Sequence, residues 1–107
     1  MDKKIYNKLV RDRIPEIITR SNRQLEVKTM TPAEFEVALR EKMVEEAAEA
    51  READVAHLIT ELADIQEVMH ALMQLHSITS EMVHQEQEKR RLERGGFEQR
   101  LKLIWAE

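Results

Sequence analysis

Hydrophobic and polar positions recur at helical spacing through most of this chain. Thr31-Pro32-Ala33-Glu34 has the capping-box pattern with proline at the first helical position, which predicts a helix from Pro32 to about Glu52. With Phe35 as the zero of the helical wheel, Leu39 falls near about 40°, Ala50 near about 60° and Met43 near about 80°. Asp54 is a cap for the next helix, expected to reach about His76. There Leu58, Ile59, Leu62, Ile65, Met69, Leu72 and Met73 make one apolar face, widened on one side by Val68, Ala71 and Leu75. Ser77 to Ser80 reads as a turn, followed by a helix from about Ser80 to Arg94 that Gly95-Gly96 ends. Nearer the start, a shorter helix is expected after Asp12 as its cap, with Pro15 in its first turn, running to about Arg23. Leu25 to Met30 alternates apolar and polar residues, as does the tail from Phe97 to Trp105. These segments predict a minor antiparallel two-stranded element, about 25–30 with 97–105. The expected fold is all-α and four-helix bundle-like, in one domain spanning 1–107.

Four carboxylates break the pattern where it should be apolar. Glu46 lands near about 20° on the first wheel, inside the stripe, with Glu49 near about 320°. Glu61 and Asp64 lie on the widened side of the next helix. Within each pair the two carboxylates are about 60° apart and can aim at one point. Carboxylates on inward faces repel one another and resist desolvation. A divalent cation removes that conflict, and an oxygen-only donor set favours Mg2+, with Mn2+ as substitute. Four carboxylates would balance two such ions, a route to phosphoryl chemistry. A solvated acidic face is the plain alternative.

Composition supports the helical reading: 107 residues hold only two Gly and two Pro, with 36% charged and 4% aromatic residues. The absence of cysteine excludes a disulfide framework and a thiolate metal site. A formal net charge of −4 argues against general nucleic-acid affinity. The acids concentrate in the centre, whereas both ends carry basic clusters. Met1 to Tyr6 lacks the apolar run of a signal peptide and no stretch approaches a membrane span, so a cytoplasmic protein is expected.

The acidic words Glu45-Glu46-x-x-Glu49 and Glu61-x-x-Asp64 together resemble the signature of the all-α nucleoside triphosphate pyrophosphohydrolases, the MazG-like superfamily. The segment Tyr6-Asn7-Lys8-Leu9-Val10-Arg11-Asp12-Arg13-Ile14-Pro15-Glu16-Ile17-Ile18 looks like the N-terminal motif of the phosphoribosyl-ATP pyrophosphohydrolase-like branch. Arg94-Gly95-Gly96-Phe97 looks like its C-terminal motif. Two features depart from the pattern. The eleven residues Ala50 to Thr60 between the acidic words are few for the superfamily, and Arg13 stands where lysine is usual.

This resemblance implies that Glu46, Glu49, Glu61 and Asp64 bind the metal, with Glu45 completing the site or orienting the attacking water. It implies water attack on the α-phosphorus of a nucleoside triphosphate or phosphoribosyl nucleotide, releasing pyrophosphate. Lys8, Arg11 and Arg13 in front, Lys89 and Arg94 behind, and Lys42 beside the acidic stripe are candidates to hold phosphates. A homodimer or dimer of dimers follows from the family and from apolar arcs too broad for one short chain. Two rivals stand beside this reading. A non-catalytic helical interaction module explains the amphipathic helices but not the inward carboxylates. A carboxylate-bridged di-iron bundle would use Glu67-x-x-His70 and Glu81-x-x-His84, yet His70 lies about 180° from Glu61 on its helix.

Overall fold

The computed structural model describes residues 3–107, all of whose regular structure is helical: α1 (Ile14–Arg20), α2 (Pro32–Glu52), α3 (Val55–Leu75) and α4 (Ser80–Arg94). Local chemistry accounts for the boundaries of the longer three. At α2, the Thr31 hydroxyl accepts from the Glu34 N–H and the Glu34 carboxylate accepts from the Thr31 N–H, at 3.2 and 3.0 Å. These bonds satisfy two of the donors that a helix start leaves free. Asp54 caps α3 by accepting from the His57 N–H at 2.9 Å. Thr79 caps α4 in the same way, and Gly95, with φ 82°, closes it in a conformation that glycine adopts without a Cβ penalty.

The described chain divides into two compact units, parted between His76 and Ser77. In the first, α2 and α3 pack as an antiparallel hairpin across the short link Ala53-Asp54. A 2.6 Å contact between His76 Nε2 and Glu36 Oε1 ties the end of α3 to the start of α2. Leu39 and Val68 are the buried apolar residues among those described, at 2% and 8% exposure. Segment 3–13 has no regular structure and lies on the hairpin, and α1 follows it. In the second unit, α4 leads into an irregular tail, and Arg91 of α4 pairs with Glu98 of the tail. Among the described residues no helix is long and apolar enough to cross a membrane.

Three expectations are corrected. No strand forms at 25–30 or 97–105; an isolated pair with no third strand is marginal in water. Asp12 does not cap α1, whose N-cap is Arg13 without a side-chain bond. That helix also stops at Arg20, where Ser21 and Asn22 leave the helical path. Asn22 takes φ 59°, the left-handed region that asparagine tolerates.

The inner face of α3 is also turned from the face with the most apolar residues. Val68 is buried, and Glu61, Asp64, Ile65 and Leu72 are half-buried, whereas Ile59 and Leu62 are 76% and 50% exposed. Its widened side therefore meets α2. Val55, Ile59, Leu62 and Met69 form an uncovered stripe, and Val37 and Val44 are exposed on α2.

Candidate metal centre

The rotation of α3 carries its carboxylates inward against α2. Glu46 lies where the stripe of α2 meets α3 and is 5% exposed, the buried charged residue of the described chain. One oxygen each from Glu46, Glu61 and Asp64 come within 4.8 Å of one another. Glu46 Oε2 and Glu61 Oε2 are both buried and have no hydrogen-bond partner. Leaving a buried acceptor unmade costs about 1–3 kcal/mol, and more for a charged one. Burial first, and then the neighbouring Glu49 charge, push the Glu46 carboxyl above its ordinary range. An all-oxygen cluster with orphaned buried oxygens fits a hard divalent cation. No histidine belongs to the cluster, which removes the donor set that a Glu-x-x-His di-iron site would need.

Cations border the carboxylates. Lys42 Nζ lies 3.5 Å from Glu46 Oε1 and 3.7 Å from Glu45 Oε2. From the N-terminal segment, Lys8 Nζ donates to Glu45 Oε1 at 3.1 Å and Arg11 Nη2 to Asp64 Oδ1 at 2.7 Å. The Lys8 bond, helped by Lys42, holds the Glu45 carboxyl below its ordinary range. A cleft of about 290 Å³ opens beside these groups, lined by Tyr6, Asn7, Lys8, Met30, Lys42 and Glu45 among others.

The sequence-derived residues separate into groups. Glu46, Glu61 and Asp64 converge; Glu49 neighbours Glu46 but is exposed and outside the three-oxygen cluster. Glu45 faces the lysines rather than the cluster. Lys8, Arg11 and Lys42 reach the acidic residues, whereas Arg13 pairs with Glu16 on α1 at 2.7 Å. Lys89 and Arg94 stand on α4, in the second unit. Tyr6, Asn7 and Met30 were not singled out as site residues from the sequence. Their only signal was membership of the N-terminal motif for the first two, and Met30 carried none.

The model of the phosphoribosyl-ATP pyrophosphohydrolase family matches residues 6–91. The chain belongs to this family. The match spans both acidic words and opens on Tyr6, the start of the N-terminal motif, while Arg94-Gly95-Gly96-Phe97 lies beyond its end. Searches of curated proteins and of solved structures return no significant match. Membership in the phosphoribosyl-ATP pyrophosphohydrolase family gives the reaction class, hydrolysis of a nucleotide phosphoanhydride, and implies a nucleotide as substrate.

Proposed function

We propose that this protein is a Mg2+-dependent nucleotide pyrophosphohydrolase in which water attacks the α-phosphorus of a nucleoside triphosphate or phosphoribosyl nucleotide. The observation that carries this reading is the convergence of Glu46, Glu61 and Asp64, with two buried unpartnered oxygens, inside a chain of this family. These three, with Glu49 adjoining, would hold the metal; Mn2+ would substitute. When bound, the metal supplies Lewis-acid polarisation of phosphoryl oxygens and lowers the pKa of water.

The chain's own cations do the rest. Lys8 and Lys42 flank the cleft and carry charge toward the distal phosphates, while Arg11 offers a fork that matches a phosphate edge. Glu45, paired with both lysines, acts by orienting them. Arg13 would have to leave Glu16 to take part. The match to residues 6–91 runs into α4, which supports reading 1–107 as one functional domain. We read the protein as cytoplasmic, with no nucleic-acid or membrane partner.

Incubation with a panel of nucleoside triphosphates and phosphoribosyl-ATP in Mg2+ should yield the monophosphate product and pyrophosphate. Diphosphate with orthophosphate as products would overturn attack at the α-phosphorus.

The uncovered stripe Val55, Ile59, Leu62 and Met69 supports a homodimer or dimer of dimers. Its spacing of four, three and seven residues is that of a helix–helix seam. Sedimentation equilibrium at micromolar concentration should give a multiple of the 12.6 kDa chain mass. A species of chain mass would refute the assembly.

A further inference from the structure

Segment 3–13 has no helix or strand to hold it, yet it is fastened to the hairpin at two charged points. Lys8 pairs with Glu45 on α2, and Arg11, three residues on, pairs with Asp64 on α3. The segment thus reaches both helices of the carboxylate centre, with half-buried Leu9 between its two anchors. Asn7, at φ 45°, bends the backbone just before the first anchor, and the Ile14 N–H donates to the Arg11 carbonyl at 3.0 Å just after the second.

The Arg11 contact differs in kind from that of Lys42. Lys42 and Glu46 share one helix, four residues apart, and meet wherever α2 forms. Arg11 arrives from 53 residues away in sequence and takes an oxygen of a carboxylate in the three-oxygen cluster. Its guanidinium stays charged at any working pH, so it cannot withdraw by losing a proton. Its side chain is 58% exposed, so solvent reaches it in the pair.

We propose that Arg11 is a built-in counter-ion for the carboxylate centre: it neutralises Asp64 and competes with a divalent cation for it, so that metal loading frees it for the substrate phosphates. This rests on the metal reading given above. Two cations drawn to one carboxylate oppose each other, through mutual repulsion and through sharing of the same negative charge. The antagonism is reciprocal, so removing Arg11 must tighten metal binding, by at most the factor with which the metal weakens the Arg11 contact. The N-terminal segment thereby links metal loading to phosphate capture. Arg11 acts on the metal as a positioning residue.

The test is the affinity for Mn2+ alone, followed by electron paramagnetic resonance on the nucleotide-free full chain. Arg11→Gln should bind Mn2+ about fivefold more tightly than the wild type, the size expected from losing a partly exposed ion pair. Arg11→Lys should return most of the way to wild-type affinity. Arg20→Gln, which removes a cation paired with Glu16 on α1, should leave the affinity unchanged and so exclude a general effect of net charge. Affinity in Arg11→Gln equal to or weaker than wild type would overturn the proposal. Failure of the wild type itself to bind Mn2+ would overturn the metal reading beneath it, an outcome distinct from the first.

Discussion

Glu61→Gln is expected to lower nucleotide hydrolysis by about a thousandfold, because Lewis-acid catalysis supplies several kcal/mol and each 1.4 kcal/mol is about tenfold in rate. The substitution keeps the shape of the side chain and changes one charged oxygen into an amide nitrogen. In the fold, Glu61 Oε2 is buried and has no protein partner, so no hydrogen bond of the hairpin is lost with it. The helical circular dichroism should therefore match that of the wild type. A product assay for pyrophosphate under saturating Mg2+ reads the effect. Turnover within threefold of wild type would remove Glu61 from the catalytic centre.

The second large effect is on stability. Mg2+ should raise the melting temperature at constant protein concentration, since an ion that binds only the folded state stabilises it by about 2.7 kcal/mol at a hundred times its Kd. Glu46→Gln should do two things at once. It should weaken or abolish the Mg2+ response, and it should raise the melting temperature of the metal-free protein by several degrees. The reason is that Glu46 is the carboxylate whose charged form the fold disfavours, first by burial and then by Glu49, with Lys42 at 3.5 Å offsetting only part of this. Relief of about 1–2 kcal/mol would move the midpoint by about 4–8 °C per kcal/mol in a domain near this size. Differential scanning fluorimetry with and without Mg2+ measures both. A metal-free Glu46→Gln protein that melts below wild type would mean that the ion pair with Lys42 outweighs the burial of the charge.

The helices were legible because their signals are local. The Thr31 box, the Asp54 cap and Gly95 act within a turn of the residues they punctuate, so α2, α3 and α4 begin and end close to where those residues stand. Burial of Glu46 was legible for the same reason, since its angle relative to Leu39 depends on helical pitch alone. Local signals misled where other residues had to cooperate. Leu25 to Met30 alternates as a strand does, but a strand needs a ladder, and neither this segment nor the tail forms one. Asp12 is a good capping residue by type, yet the chain turns so that Arg13 occupies the cap position without a side-chain bond.

Helical periodicity by itself determined which residues share a face, and hence that Glu46 would sit among apolar neighbours and that Glu61 and Asp64 would stand together. Only the tertiary structure decided which arc of α3 turns toward α2. One side of its apolar face, through Ile59, Leu62 and Met69, stays uncovered, and the arc bearing Ile65, Val68, Leu72 and the two carboxylates faces in. It alone decided, too, that Arg11 meets Asp64 and Lys8 meets Glu45, across 53 and 37 residues of sequence. The physical reason is one of range: pitch and caps are set by bonds within about four residues, whereas the orientation of one helix on another, and the reach of an irregular segment across both, depend on contacts between residues that the chain order keeps far apart.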